Sequence, residues 1–546
     1  MLLRERCLDA SQVRTVAQMN STSTSADDAA LARARERVAA VQAALQATDG
    51  AAVRLIETHI SWVLLTPSLA YKLKKPVRLP FLDFTSLAAR RRYCEEEVRL
   101  NRRLAPSLYL DVIEVCDGPS GPAFGTEGPV LDVAVRMKRF PDGALWSEML
   151  AAGTLAPRHV DAMARRLADF HAAAALAAPD SAFGSAPVHE RVAGRLMDAL
   201  GTLPGGVDTA ALRSWLQAEL RTLAPWWDTR RREGGVRECH GDLHLANVLQ
   251  LGEHGEQAGA FDGIEFDEEL RWIDVLDDVA FLVMDLIAHE RRGLAFRLLN
   301  AYLEASGDYA GLPALRFFMV CRALVRAQVA AIGQGQRLHS AATSGAGEYL
   351  AVAQSLAHGR DARLAITHGL PGSGKTFVSQ GLAEAAGALR VRSDVERKRL
   401  FGLTALLRSH RRVAGGIYDS ATTRRTYARL AQVAEIALRA GWPVIVDAAF
   451  LRLSERRAFA ALAQRLQLPF SIIDCRAPLP LLRERLERRQ ALGGDASEAD
   501  VAVLERLATA DEPLDAAEAA RAIVFDAAQP RDAAALAPRW LAAAAG

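Results

Sequence analysis

The stretch Gly369-Leu-Pro-Gly-Ser-Gly-Lys-Thr376 decides the fold of the second half of the chain. An apolar run at residues 364–368 favours a strand before it, and the composition of residues 377–386 favours a helix after it. Phosphate binding needs this order, because glycines let backbone N–H groups crowd round phosphate oxygens and the helix N-terminus offers unpaired donors. A plain glycine-rich turn is the alternative, but it does not explain a lysine and a threonine in register with the glycines. The stretch predicts a phosphate-binding loop with a Mg²⁺-binding hydroxyl at its end, formed by Gly369, Gly372, Ser373, Gly374, Lys375 and Thr376.

Two further strands of this half end in an acidic residue. Residues 441–446 favour a buried parallel strand that ends at Asp447, where a carboxylate can reach Mg²⁺ directly or through water. Residues 389–392 favour a strand followed by Asp394, which could accept the proton of a phosphoryl acceptor. Ser393 or Asp394 could instead only cap the next helix. We favour catalysis, because a cap does not explain the cluster of basic residues that follows.

A helical pattern at residues 481–493 carries several arginines before a Gly-Gly-Asp turn. Arg485 and Arg489 are one turn apart on one face, so this segment could close over a triphosphate. The alternative is a surface helix in which the arginines pair with Glu484 and Glu487. Both interpretations remain open at this point.

The first half has its own candidate centre in the loop His240-Gly-Asp-Leu-His-Leu-Ala-Asn247. An Asp and an Asn separated by four residues on a tight loop can serve one site, in which Asp242 takes a proton from a hydroxyl and the Asn247 oxygen binds Mg²⁺. Asp262 ends the next apolar strand and can hold the same metal. The pattern His240-x-Asp-x-His244 could also be a metal cluster, but no second histidine pair or cysteine set lies nearby in sequence.

The periodicity of the sequence divides the chain. Strand-like segments dominate up to about residue 140, with one charged helix at residues 87–104, and helical periodicity follows. Alternating strands and helices with one phosphate loop predict a parallel, doubly wound α/β domain in the second half. We expect a disordered leader at residues 1–28, a two-lobed α+β domain at residues 29–358 and a P-loop domain at residues 359–546.

Two aspartates follow the candidate centre of the first half at helical spacing. Asp274 and Asp278 are one turn apart. We expect one of them to brace the loop that carries Asp242 by hydrogen bonding, and the alternative is a capping or surface role.

The loop of the first half resembles the catalytic loop of the aminoglycoside phosphotransferase and choline kinase group, distant relatives of the protein kinases. That group has H-G-D-x-x-x-x-N, and the resemblance covers about residues 53–357. It implies a two-lobed kinase-like fold, with Asp242 as the catalytic base and with Asn247 and Asp262 on Mg²⁺.

The same resemblance implies a lysine on the third strand that pairs with a glutamate on the following helix. Lys74 is our choice and Lys72 its rival, since residues two apart share one strand face. Glu97 is preferred to Glu96. The sequence departs from the protein-kinase pattern upstream, where no G-x-G-x-x-G loop precedes Lys74.

The second half resembles small-molecule P-loop kinases such as gluconate kinase and adenylylsulfate kinase, with zeta-type toxins and polynucleotide 5′-kinases close by. This resemblance covers about residues 363–524 and implies Lys375 and Thr376 on the phosphates and Mg²⁺, Asp394 as base, and an arginine lid. The whole order resembles bacterial proteins that fuse an aminoglycoside-phosphotransferase-like domain to a P-loop kinase domain.

Composition argues against several classes of protein, and only weakly against a dedicated nucleic-acid binder. The net charge of +2 on 546 residues provides no basic field for nucleic acid. No apolar run is long enough to span a membrane, and the first residues are too polar for a signal peptide. The scattered cysteines, which lack a C-x-x-C pair, are typical of reduced thiols in a cytoplasmic protein. They are Cys7, Cys94, Cys116, Cys239, Cys321 and Cys475.

These features predict an ATP- and Mg²⁺-dependent phosphotransferase with two nucleotide sites, acting on hydroxyl groups of small molecules. An alternative makes the first domain an inactive sensor that regulates a P-loop ATPase. A third makes the second domain a kinase of nucleic-acid ends. The sequence leaves the acceptors and the oligomeric state open.

Overall fold

The computed structural model describes residues 25–79, 82–203, 209–252, 257–335, 345–405, 407, 419–492, 497–529 and 532–543. By their contacts these residues fall into two compact units. The first unit is Met1–His289 with Leu315–Ala357, and the second is Glu290–Ala314 with His358–Gly546. We expected a disordered leader at residues 1–28. Residues 1–24 lie outside the described part of the chain, and the first helix begins at Ser25. The domain boundary near residue 358 stays a prediction; by contacts, residues 290–314 group with the second unit.

The first unit begins with an antiparallel sheet in the strand order β1-β2-β3-β8-β6-β7, with shorter hairpins after it. The predicted predominance of strands up to about residue 140 is confirmed. The strands are β1 (Arg54–Glu57), β2 (Ser61–Leu65), β3 (Leu69–Lys74), β4 (Arg78–Leu79), β5 (Leu82–Asp83), β6 (Tyr109–Gly118), β7 (Gly121–Phe124), β8 (Val130–Lys138), β9 (Val236–Glu238), β10 (Val248–Leu251), β11 (Gln257–Ala260) and β12 (Trp272–Asp274).

Helices follow the sheet, as the change of period predicted. Up to residue 289 they are α1 (Ser25–Asp49), α2 (Leu87–Asn101), α3 (Trp146–Ala151), α4 (Pro157–Ala173), α5 (Ala186–Ala199), α6 (Thr209–Arg232), α7 (Glu268–Arg271) and α8 (Val275–Ala288). The next helices in the chain are α9 (Arg292–Ser306), α10 (Leu312–Gly335) and α11 (Ala346–His358).

Strand β3 carries the candidate lysines and is covered on both faces. Leu73 is buried with residues of α1 on one face, and Ala70 is buried with residues of α2 on the other. Because successive strand residues point to opposite faces, Lys72 and Lys74 share the α2 face with Ala70. Glu97 is fully buried on α2. Alternation along β3 therefore directs both lysines towards the helix that carries the glutamate.

The second unit is built on a parallel sheet in the strand order β14-β15-β13-β16-β17. This confirms the predicted doubly wound α/β domain. Its strands are β13 (Leu364–His368), β14 (Leu389–Arg392), β15 (Val444–Asp447), β16 (Phe470–Arg476) and β17 (Ala522–Asp526). Its later helices are α12 (Lys375–Ala386), α13 (Ser393–Arg399), α14 (Ser420–Arg439), α15 (Leu453–Arg465), α16 (Leu479–Leu492), α17 (Val501–Thr509), α18 (Ala516–Ala520) and α19 (Ala537–Leu541).

The central strands of this sheet are buried on both faces. Ala365 of β13 and Ile445 of β15 lie in one hydrophobic cluster with residues of α12 and α19. Ile366 and Val446, the next residue on each strand, point the other way and are also fully buried. Burial of both faces is typical of parallel sheets, and it leaves the carboxyl ends of the strands as the place for a site.

Helix α9 covers the edge strand β14. An edge strand has backbone groups without a strand partner, and they need other hydrogen bonds. Asn300 supplies them, since its Nδ2 donates to the Ala388 carbonyl at 2.9 Å and its Oδ1 accepts from the Arg390 N–H at 2.7 Å. Glu304, one turn further along α9, pairs with the Arg390 guanidinium at 2.7 Å. The side chains of α9 thus complete the sheet of the second unit.

The cysteines that the structure describes are free and buried, in agreement with the predicted reduced thiols; Cys7 lies outside the described residues. They are Cys94, Cys116, Cys239, Cys321 and Cys475. Among the described helices, none combines the length and the apolar character that crossing a lipid bilayer requires.

Candidate active sites

Two lysines and two glutamates form a buried ion-pair network between β3 and α2. Each carboxylate oxygen of Glu97 contacts one lysine. Oε1 lies 2.9 Å from Lys72 Nζ, and Oε2 lies 2.7 Å from Lys74 Nζ. Lys74 also pairs with Glu265, and its side chain is 0% exposed, against 11% for Lys72. Although burial favours the neutral amine, Glu265 and Glu97 raise the pKa of Lys74 above its ordinary value. Both candidate lysines therefore contact Glu97, but only Lys72 reaches towards solvent.

Lys72 also joins the network to Asp262, whose Oδ1 lies 2.5 Å from Lys72 Nζ. Asp262 has a φ of +62°, a left-handed conformation that non-glycine residues adopt rarely and that often marks a functional position. Its N–H donates to the Tyr109 hydroxyl at 3.2 Å, and the Gly263 N–H donates to Asn101 Oδ1 at 2.8 Å. Side chains of α2 and β6 therefore fix the backbone around Asp262.

Asp242 and Asn247 meet within the catalytic-type loop. The Asn247 Nδ2 donates to the backbone oxygen and to Oδ2 of Asp242, both at 3.0 Å. The Asn247 carbonyl accepts the N–H of Phe261, the residue before Asp262, at 3.0 Å. Burial alone would raise the pKa of Asp242, but the charges of His244, Arg326 and His240 lower it below its ordinary value. The carboxylate is therefore ionised at neutral pH.

The loop has a tight backbone at Gly241, where protein kinases carry arginine. Gly241 has a φ of +86°, and a Cβ there would lie 2.6 Å from the carbonyl oxygen of Leu270. Only glycine fits this position without moving the backbone. The two histidines of the loop are also engaged in it. His240 bonds the Phe261 carbonyl at 3.0 Å, and the Nδ1 of His244 accepts from the Ala246 N–H at 3.2 Å.

Helix α8 holds both ends of this loop. Asp278 accepts from the N–H of His240 at 3.0 Å and of Gly241 at 2.9 Å, which confirms the predicted brace. Asp274 instead caps α8 by accepting from the Leu276 N–H at 2.9 Å. Asp285, two helical turns after Asp278, accepts from the Leu245 N–H at 2.9 Å.

Replacing Asp278 by asparagine is expected to lower the free energy of unfolding of the first unit by about 2–4 kcal/mol, because an amide cannot accept on both sides of the buried loop. Hydrogen bonding from His171 and the His240 N–H overcomes the effect of burial and lowers the pKa of Asp278 to about 2. An unfolded aspartate titrates near about 3.9, so this stabilisation is full above that pH and is lost as the pH falls towards 2.

Urea unfolding followed by tryptophan fluorescence at neutral and acid pH measures this effect. Asp142→Asn is the control, since the Asp142 side chain is 85% exposed. If both variants lose less than about 0.5 kcal/mol, the value usual for surface changes, Asp278 is not a brace.

The phosphate-loop glycines of the second unit have positive φ values. Gly369, Gly372 and Gly374 have φ values of +139°, +83° and +87°. A Cβ on Gly369 would lie 2.5 Å from the Cys475 carbonyl oxygen. The hydroxyl of Ser373 is buried and has no hydrogen-bond partner among the described residues. A cradle that excludes side chains and holds an unsatisfied donor fits phosphate oxygens.

Lys375 folds back over this loop. Its Nζ donates to the carbonyl oxygens of Gly369 at 2.9 Å and Leu370 at 2.8 Å. Burial lowers the pKa of Lys375, while Cys475, Asp447 and Asp394 act in the opposite direction. Negative charge brought by a ligand would therefore stabilise the ammonium form.

Asp394 and Asp447 lie at neighbouring strand ends. The parallel register places Asp447 beside Arg392, the last residue of β14. Ser379 Oγ donates to Asp447 Oδ2 at 3.0 Å. Helix α13 begins at Ser393 with no side-chain cap hydrogen bond from the residue before it. Asp394 lies in the first turn of this helix, and its role as a base stays a prediction.

The two candidate lid arginines contact different segments. Arg485 donates from Nη1 to the Gly372 carbonyl at 3.3 Å and from Nη2 to the Ala527 carbonyl at 2.7 Å. Arg489 donates to the Ala499 carbonyl at 2.6 Å. Arg485 is therefore already placed on the phosphate loop, whereas Arg489 ties α16 to the segment before α17.

Sequence reasoning gave no role to Glu265 and Asp285. Glu265 lies three residues after Asp262, and its partner Lys74 is 191 residues away. Asp285 did leave a signal, because it is a charged residue in the apolar run that follows Asp277 and Asp278 on the same helix. Two acids spaced by two turns on a buried helix indicate a polar partner on one face.

Comparison with known proteins agrees with these two halves. Residues 81–318 match the Phosphotransferase enzyme family, and residues 364–514 match an AAA domain. An uncharacterized protein of Mycobacterium tuberculosis (strain ATCC 25618 / H37Rv) is 31% identical over 455 residues, which cover 82% of this chain and 89% of that protein. An uncharacterized protein of Mycobacterium bovis matches with the same values.

Two solved structures are each similar to part of the chain. A gluconokinase from Sinorhizobium meliloti is 20% identical and covers 34% of this chain and 91% of its own, with a TM-score of 0.24. A choline/ethanolamine kinase family protein from Mesorhizobium loti is 14% identical and covers 60% of this chain and 95% of its own, with a TM-score of 0.32.

The family matches confirm the kinase-like interpretation of both halves. The chain belongs to the same family as these mycobacterial proteins, and it joins a phosphotransferase-family region to a P-loop kinase-like domain.

Proposed function

We propose that the protein is an ATP- and Mg²⁺-dependent phosphotransferase with one nucleotide site in each unit, acting on hydroxyl groups of small molecules. The observation that carries this proposal is the position of Lys72 Nζ, 2.9 Å from Glu97 and 2.5 Å from Asp262. A lysine held between a helix glutamate and a metal-binding aspartate is the arrangement that active kinases require. A relative that had lost phosphoryl transfer would not need these three charges together for catalysis.

In the first unit, oxygen donors suit Mg²⁺. Asn247 uses its Nδ2 on Asp242, so its amide oxygen remains the donor for a metal, and Asp262 adds a carboxylate. When bound, Mg·ATP supplies the phosphoryl group. Asp242 orients the acceptor hydroxyl and takes its proton, for which its lowered pKa keeps it in the charged form.

We further propose that Lys72, and not Lys74, contacts the nucleotide phosphates. The sequence favoured Lys74, but that side chain is 0% exposed and lies between Glu97 and Glu265. Its contacts suit a residue that fixes Glu97 from the interior. Lys72 is the lysine that reaches the metal-binding carboxylate of Asp262.

The two lysines should therefore respond differently to substitution. Lys72→Met is expected to weaken Mg·ATP binding in the first unit about 10- to 100-fold through loss of a charge-assisted hydrogen bond. Lys74→Met is expected to cost about 3–5 kcal/mol of stability, because it leaves the buried Glu265 carboxylate without its cation and Glu97 with Lys72 alone. Calorimetric titration and urea unfolding measure the two effects, and the reverse order would assign the phosphate contact to Lys74.

In the second unit, the phosphate loop and Lys375 hold the triphosphate, and Thr376 with Asp447 provides oxygen donors for Mg²⁺. Asp394 is the proposed base. Arg485 touches the loop carbonyl of Gly372 and would neutralise charge that develops during transfer.

Titration calorimetry on the full chain tests the two-site proposal. With Mg²⁺ and a non-hydrolysable ATP analogue, we expect two nucleotides bound per chain. The uptake of only one nucleotide, with nothing left after Lys375→Ala, would contradict a nucleotide site in the first unit.

A further inference from the structure

Phe377 is an unusual residue for its place in the second unit. It directly follows Thr376, in the first turn of α12. Its side chain is 63% exposed, the highest value for a large apolar side chain within the described residues. A phenylalanine left in water beside a phosphate loop gives up a large part of its hydrophobic stabilisation.

The surroundings of Phe377 are apolar and continuous with the phosphate loop. Its ring lies 6.2 Å from that of Phe525 between centroids, at an interplanar angle of 39°. Phe525 is 3% exposed, so it forms a floor beneath Phe377. A Cβ on Gly374, the last glycine of the loop, would lie 3.6 Å from both Ala527 and the Phe525 ring. The aromatic surface thus begins where the phosphate loop ends.

The phosphate loop indicates a ligand that could also contact this aromatic surface. The buried Ser373 hydroxyl, which has no hydrogen-bond partner in the described part of the chain, lies within the loop. Arg485 connects the loop to the surface, because it bonds the carbonyls of both Gly372 and Ala527. A nucleotide held by its phosphates needs a place for its base, and an exposed aromatic ring next to the loop offers a stacking partner.

We propose that Phe377, with Phe525 and Ala527 beneath and beside it, is the nucleobase subsite of the second unit. The Phe377 ring stacks on the base of the nucleotide whose phosphates lie in the loop. This inference rests on the proposed nucleotide site of that unit. Stacking uses the π-face that every base has. Phe377 therefore contributes to the affinity for all purine nucleotides and does not select between them.

The test compares Mg·ATP with Mg·tripolyphosphate, which has the phosphates without a base, in titrations of the full chain. The binding event that Lys375→Ala removes identifies the second unit. Phe377→Ala is expected to weaken ATP binding there about 5- to 150-fold, the range for loss of one stacked base, and to leave tripolyphosphate affinity unchanged. Phe377→Tyr keeps a ring and should keep the affinity for ATP.

Leu541→Ala is the matched control, since Leu541 is another exposed apolar residue of the same unit, at 36%. Equal weakening of ATP and tripolyphosphate, or unchanged ATP affinity in Phe377→Ala, would overturn the base subsite and leave the nucleotide site standing. If the unsubstituted protein takes up neither ligand in a Lys375-dependent manner, the nucleotide site itself fails, and the subsite with it.

Discussion

Asp242→Asn is expected to remove phosphoryl transfer by the first unit while leaving its Mg·ATP binding in place. The carboxylate is 5% exposed and is held by the Asn247 amide, so an asparagine of the same shape fits. An amide cannot take the proton of the acceptor hydroxyl. Loss of a positioned general base lowers the rate by about 10²- to 10⁴-fold.

The measurement uses labelled ATP and a panel of hydroxyl-bearing metabolites, in a Lys375→Ala background that silences the second unit. Asp228→Asn serves as control, because the Asp228 side chain is 71% exposed. Calorimetry should give the same Mg·ATP affinity for Asp242→Asn as for the background protein. Unchanged transfer in Asp242→Asn would remove the role assigned to Asp242. Absence of transfer already in the Lys375→Ala background would favour the alternative in which the first unit is an inactive sensor and the P-loop unit the only enzyme.

Lys375→Ala is expected to remove nucleotide binding by the second unit. Its ammonium group now rests on the carbonyls of Gly369 and Leu370, within the loop that is to receive phosphates. Loss of a charged donor weakens binding by about 10- to 100-fold for each interaction, and this lysine is expected to make more than one. The number of nucleotides bound per chain should fall from two to one.

Arg457→Ala is the control for this substitution, since Arg457 lies in the same unit and its side chain is 70% exposed. Nucleotide uptake that stays at two in Lys375→Ala would remove the role assigned to the loop. Transfer activity of the first unit should persist in Lys375→Ala, and its Asp242-dependence can then be measured without interference.

The sequence predicted the elements of both units well because their signals are local. Alternation along β3 placed Lys72 and Lys74 on one face, and glycines, lysine and threonine in register located the phosphate loop. The sequence favoured Lys74 over Lys72, whereas the structure shows that both lysines contact Glu97. The choice depends on Asp262, which lies 190 residues further along the chain. A sequence pattern that spans only a few residues cannot indicate a contact between residues so far apart in the chain.

Partners were harder to predict than positions for the same reason. Arg485 was expected to face a ligand or a neighbouring glutamate, yet it bonds two backbone carbonyls that come from distant segments. Asp285 stabilises a loop 40 residues earlier. Helical periodicity predicted helices after about residue 140, but the backbone groups of β14 that α9 satisfies belong to a strand almost ninety residues later.

The amide of Asn300 has a practical meaning for anyone who dissects this protein. In a fragment that starts at residue 358, β14 would be an exposed edge strand, because α9 would be missing. A second copy could add a strand to this edge, so we expect such a fragment to self-associate. The phosphotransferase match runs to residue 318 and so includes α9. An exchange of either half for a homologous one would therefore have to keep residues 290–314 together with the P-loop sheet. A single cut in the gene cannot separate the two units.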